Sequence, residues 1–341
     1  MEFTFGIPTA KEAKVNGQIL RALNEPKTMK ENKNFYSAKE LYELDIKELP
    51  VLIDPIFMKS GIAVFAGSSD TGKSTFLRQL GLAIVKGEDK FLGWDIKAEH
   101  KRVVYVSTED DRNAISFLLN KTLGEGADVE CLDRFDYVFD TENLEVKLDE
   151  MLTANPADCV IIDALTDLYG GDLNQSNKVR VFLNQYFKLA DKHNCLFIFL
   201  HHTGKRTEEL PPSKNNLLGS QGIEGKARQV IELRRDPSDN NFRHLCIVKG
   251  NYLPDGMKEK SFKMKFNSDL TFSMTKERTD FSELTAKTGS QTNYYEDIKP
   301  RIVELKDIEG LTFQQIADKL REEGKTIGKS KANQLYNEAK E

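Results

Sequence analysis

Residues 67–75, GSSDTGKST, stand between the apolar run GIAVFA (61–66) and FLRQLGLAIV (76–85), whose apolar residues recur at helical spacing. The placing of Gly67, Gly72, Lys73 and Ser74 fits G-x-x-x-x-G-K-[ST], a loop whose backbone amides surround phosphate while Lys and Ser/Thr reach the outer phosphates and Mg2+. Glycines permit the backbone angles that aim successive amides at one anion, and the following helix adds its partly positive N-terminus. Gly67, Ser68, Ser69, Asp70, Thr71, Gly72, Lys73, Ser74 and Thr75 are therefore the expected phosphate cradle. Asp70 is the awkward member: a carboxylate would repel phosphate, so its side chain is expected to point outward. The bland alternative is a glycine-rich turn with a surface lysine.

Outward from this loop, the runs GIAVFA, RVVYVS, DCVIID, CLFIFL and RQVIEL alternate with helical segments 74–86, 110–123, 142–153 and 176–192. Such alternation predicts an α/β fold, a mostly parallel sheet covered by helices on both faces. FRHLCIVKG, KSFKMKF and LTFSM read as antiparallel edge strands. Residues 1–35 are polar, Lys-rich and aperiodic, as expected of an N-terminal arm. SAKELYELDIKELP opens as a short helix capped by Ser37, with Glu40 three residues on. The expected domains are thus the arm 1–35, an α/β core 36–275, a linker 276–293 and a helical tail 294–341.

Composition sets bounds. With 341 residues and 39% hydrophobic content, the chain can bury one large core and a small accessory module. No apolar run approaches the ~20 residues that cross a bilayer, and MEFTFGIPTAKEAK lacks a basic-then-apolar leader pattern, so a cytoplasmic protein with no membrane partner is expected. Cys131, Cys159, Cys195 and Cys246 are widely spaced and form no C-x-x-C, which predicts free thiols. A net charge of -5 argues against a uniformly basic surface.

Further strand ends carry chemistry. An apolar strand closing on Asp163 in CVIID places a carboxylate where it meets Ser74 and Mg2+, although such an Asp also serves as a turn or cap residue. RVVYVSTEDD puts Glu109 just past a strand, at the carboxyl edge where parallel sheets bind ligands. Glu109 is the candidate base for an attacking water, and Asp110 the expected cap of a helix beginning near Arg112. In CLFIFLHHTGK, His201 and His202 point to opposite faces, so they do not share a metal; one faces the outer phosphate.

The order GSSDTGKS, STED, CVIID, FLHHTGK and LLGSQGIEGKARQVIELRRD resembles the RecA-like ATPases and, within them, the RepA-type hexameric replicative helicases of mobilizable plasmids, over about residues 48–255. The resemblance implies a RecA-like P-loop NTPase core, ATP with Mg2+, a homo-oligomeric (hexameric) ring and DNA as partner. It assigns catalysis to Lys73 and Glu109, the metal to Ser74 and Asp163, and the γ-phosphate sensor to His202. An arginine acting in trans falls on Arg228 by the RepA pattern and on Arg235 by the DnaB-like pattern, with Lys249 a possible second cation. Asn251 stands where DnaB-type rings carry a further basic residue. The plainer reading of Arg234 and Arg235 is a solvated strand end.

In such rings the loop after the sensor strand faces the channel and single-stranded DNA. Here that loop holds Lys205, Arg206 and Lys214 against Glu208 and Glu209, a net of +1 (3 - 2), without an aromatic for stacking, and its polarity predicts mobility. The tail LTFQQIADKLREEGKTIGKSKANQLYNEAKE reads as a helix from N-cap Thr312, a turn at Gly324 and a second helix from about Ser330. This is helix-turn-helix-like, resembling small modules of recombinases and phage regulators, with Lys325, Lys329 and Lys331 clustered for duplex DNA; a protein-docking bundle is the alternative. Two functions follow: an ATP-driven DNA helicase of a mobile element, or an ATP-dependent regulator or loader that does not unwind.

Overall fold

The computed structural model describes residues 35–204, 207–217, 219–285, 289–323, 325 and 327–340, with backbone only at 220 and 289–297. The arm, Lys205, Arg206 and the Gly324 turn lie outside the described residues. Two compact units divide at Leu49/Pro50, not at residue 35. In the first, α1 (Ala38–Glu43) carries the expected capping box: Ser37 Oγ accepts from Glu40 N at 3.1 Å, and Glu40 accepts from Ser37 N at 2.8 Å.

The second unit is built on a nine-stranded sheet in the order β13-β12-β11-β10-β3-β9-β8-β6-β7. Its parallel part comprises β3 (Gly61–Gly67), β6 (Val103–Ser107), β7 (Phe135–Val138), β8 (Cys159–Asp163), β9 (Leu196–His202) and β10 (Gln229–Arg235). These strands read as continuous apolar runs because both faces are buried. Ala63, Phe65, Tyr105, Ile161 and Ile198 pack on one face, beneath α2 (Lys73–Lys86). Their neighbours Val64, Val104, Ile162 and Phe197 pack on the other, beneath α4 (Leu144–Ala154) and α6 (Ser176–Lys192), as the period of two requires. Joining these elements are α3 (Arg112–Leu123), α5 (Leu165–Leu168) and α7 (Ser220–Glu224).

The expected antiparallel edge is present as β11 (Phe242–Gly250), β12 (Lys260–Phe266) and β13 (Phe272–Asp280). It runs to Asp280 rather than ending near Thr275, because Ser261 and Lys260 of β12 still pair with Thr279 and Asp280. The linker expected over 276–293 is correspondingly shortened: α8 spans Gly289–Asp307. β7 was not anticipated, nor was a four-stranded sheet of β2 (Phe57–Met58), β1 (Val51–Asp54), β5 (Trp94–Ile96) and β4 (Lys90–Phe91). Such short strands leave no sustained alternation to read.

Asp111, not Asp110, caps α3, its Oδ1 accepting from Ala114 N at 2.8 Å. Asp110 is engaged elsewhere: its carbonyl accepts from Ser107 Oγ and its carboxylate lies 3.9 Å from the Arg78 guanidinium. In the tail, α8, α9 (Phe313–Glu322) and α10 (Lys329–Glu338) share a core of Ile302, Leu305, Ile316, Leu320 and Leu335. Thr312 caps α9 with Gln315 in a capping box. No helix among the described residues is long and apolar enough to cross a membrane, and all four cysteines are free and buried.

Candidate nucleotide site

Parallel pairing aligns the carboxyl ends of the inner strands, so chemistry separated by over a hundred residues meets along one edge. Gly67 of β3 is level with His202 of β9, and Ser107 of β6 with Asp163 of β8. The loop from Ser68 leads into α2, whose N-cap is Gly72 at φ 94°. At Gly67 a Cβ would stand 2.5 Å from Leu233 O, so only glycine lets β10 approach so closely. Asp70 takes a left-handed backbone (φ 59°) and is exposed, as charge repulsion requires.

Lys73 is buried at 5% exposure, its ammonium donating to Ser68 O at 2.7 Å. Burial pulls its pKa down, opposed by the charges of Asp163, Glu109 and Asp70. Thr71 is buried and its hydroxyl donates to the same carbonyl at 3.0 Å; Ser69 is exposed, and Ser74 and Thr75 are half-buried on the first turn of α2. The Ser68 hydroxyl donates to Glu208, tying the segment after β9 to the loop.

Asp163 accepts from Tyr105 Oη at 2.6 Å through Oδ2, while its Oδ1 is buried without a hydrogen-bond partner. Burial raises its pKa, opposed by the Tyr105 and Ser74 hydroxyls. An orphaned, buried carboxylate oxygen beside a serine on the phosphate-loop helix is a donor set suited to a hard divalent cation. Thr108 fixes this strand end, its N and Oγ1 both donating to Asp163 O, at 2.8 and 2.9 Å. Beyond it, Glu109 Oε1 is 3.3 Å from His202 Nε2, and His202 Nδ1 is buried without a partner; His201 is fully buried.

The arginines separate. Arg235 Nη2 donates to Asp70 O at 2.9 Å, so this side chain lies on its own phosphate loop. Arg228 stands beside Ile62 at the start of β3, on the order of 15–20 Å along the strand from Gly67. Its guanidinium lies 5.8 Å from the Phe187 ring, and Lys249, level with Val230, shares that edge. Arg234 is no solvated strand end: it is 3% exposed, pairs with Glu232 at 2.7 Å and donates to Thr207 O and Leu284 O. With Glu232 accepting from Ser213 N, it anchors described parts of the segment expected to be mobile. Tyr105 and Thr108 were missed; the one signal for Tyr105 was a hydroxyl inside an otherwise aliphatic strand.

The comparisons with known proteins agree with this geometry. The solved ATPase domain of a DnaB-like helicase shares the fold, with a TM-score of 0.52 at 15% identity over 80% of this chain and 100% of that one. The DNA repair protein RadA of Helicobacter pylori, in strains J99 / ATCC 700824 and ATCC 700392 / 26695, is 22% identical over 211 residues. That alignment takes in 61% of this chain and 41% of each relative, so the chain spans under half their length. The fold is the RecA-like P-loop ATPase fold, and the AAA domain family matches residues 37–208: the chain belongs to that family.

Proposed function

We propose that this chain is a Mg-ATP-dependent ATPase of a RepA-like hexameric helicase or translocase that moves on single-stranded DNA in the replication or transfer of a mobile element. The observation that carries the ATPase is the convergence of Lys73, Asp163 and the Glu109–His202 pair on one sheet edge. Loop amides and the Lys73 ammonium hold the outer phosphates. Ser74 and Asp163 would hold a divalent cation, which when bound neutralises phosphate charge. Glu109 accepts the proton of the attacking water, and His202, in contact with Glu109, responds to the γ-phosphate.

The ring reading is supported by Arg228 and Lys249, cations on the edge remote from their own phosphate loop, as a residue completing a neighbour's site must be. DNA as the substrate is supported by the likeness to a DNA repair protein. A second reading, an ATP-dependent regulator or loader, is favoured by Lys214, whose ammonium is paired with Glu224 at 2.6 Å instead of facing a channel. Strand displacement with ATP on forked and blunt duplexes separates the two. Unwinding that requires a single-stranded tail is expected; ATP hydrolysis without unwinding replaces the helicase with the regulator.

A further inference from the structure

Amides that converge on an anion force their carbonyls outward, and inside a protein those carbonyls need donors. In this phosphate loop the carbonyls of Asp70 and Thr71 are answered by two arginines facing each other across β10 and β11. Arg235 Nη2 donates to Asp70 O and Arg243 Nε to Thr71 O, each at 2.9 Å. Arg243 is 5% exposed and its fork is itself fixed: Nη1 donates to Asn240 O at 2.7 Å and Phe242 O at 2.8 Å, and the guanidinium lies 5.2 Å from the Phe266 ring. Phe266 stacks on Phe272, whose ring would stand 3.0 Å from a Cβ at Gly72. The backbone of Phe272 exchanges two hydrogen bonds with Gln79 of α2, at 2.7 and 3.0 Å. The antiparallel edge thus grips the loop from outside.

We propose that Arg243, seconded by Arg235, is a positioning residue that presets the phosphate loop, turning the Asp70 and Thr71 peptides so that the following amides face the nucleotide. The role rests on the nucleotide-site reading. Removing the Arg243 fork frees the Thr71 carbonyl to turn inward, where it repels phosphate, so nucleotide affinity falls. Chemistry at Glu109 is untouched, and KM rises while kcat at saturating ATP is retained.

Titration of the full chain with Mg-ADP by calorimetry tests this. Arg243→Met is expected to weaken ADP binding about 10- to 100-fold, the range for losing hydrogen bonds from a charged donor. Arg243→Lys, which keeps the charge without the planar fork, is expected to lose roughly three- to tenfold and carries the test if Arg243→Met does not fold. Ile247→Val thins the core under the same strand and is expected to lower the melting temperature with ADP affinity unchanged. Arg235→Met separates two roles, since a purely trans-acting arginine leaves ADP binding to dilute protein intact, whereas the clamp predicts a several-fold loss. Wild-type affinity in both folded Arg243 variants overturns the clamp alone. Wild-type protein that fails to bind ADP overturns the nucleotide site, and the clamp with it.

Discussion

At Lys73 and Glu109 two adjacent roles come apart. The buried ammonium is placed to neutralise phosphate, and the carboxylate next to His202 to take a proton. Lys73→Ala is expected to weaken ATP binding at least about tenfold, whereas Glu109→Gln keeps binding and slows hydrolysis by about 10²–10⁴. Calorimetry and phosphate release check both; hydrolysis by Glu109→Gln at the wild-type rate moves the base to another residue. A different residue governs acid sensitivity. His244 is buried, its Nδ1 2.9 Å from Ser261 Oγ and its Nε2 3.0 Å from Asp236 Oδ2. Burial lowers its pKa despite Asp236, with Lys263 lowering it further and Glu277 opposing. The unfolded chain therefore binds this proton more tightly than the folded one, so stability rises with pH across the window below the ordinary histidine value of about 6.5. His244 contributes fully above that value, and the contribution is lost as pH falls through the lowered one. Urea unfolding at pH 7.5 and 5.5 is expected to show a drop that is smaller in His244→Gln; equal drops remove His244 as the cause.

Between elements, the Glu232–Arg234 pair holds β10 to the segment after β9. Both side chains are 3% exposed, and Arg234 also serves the carbonyls of Thr207, Leu210 and Leu284. Arg234→Leu leaves Glu232 buried without its partner, which is expected to cost about 3–5 kcal/mol in denaturant unfolding. Arg234→Leu with Glu232→Leu is expected to recover part of that loss. The tail is a separate element with its own core. If α9 and α10 contact duplex DNA, replacing Lys325, Lys329 and Lys331 with Ala lowers the salt slope of binding by about 2 to 3 while basal ATP hydrolysis is kept. An unchanged slope makes the tail a protein-docking bundle.

For the whole molecule, the question is whether a site is completed by a neighbour. Arg228→Ala protein is expected to be inactive alone and to regain hydrolysis when mixed with Lys73→Ala protein, each supplying what the other lacks. Absence of rescue, with assembly intact by light scattering, leaves a self-contained ATPase. The sequence by itself determined what short-range chemistry dictates. It yielded the glycines and lysine of the phosphate loop, the apolar runs of the two-sided sheet, and the caps at Ser37 and Thr312, because in each the deciding groups lie within a few residues. Asp110 and Asp111 show its limit, since two adjacent carboxylates have equal capping chemistry and only the distant Arg78 distinguishes them. Only the tertiary structure decided that Tyr105 donates to Asp163, that Arg234 is buried and that Arg235 and Arg243 hold the carbonyls of Asp70 and Thr71. Those partners meet through strand order and register, which bring residues as far as 165 and 172 positions apart to hydrogen-bond distance and leave no periodic trace in the chain.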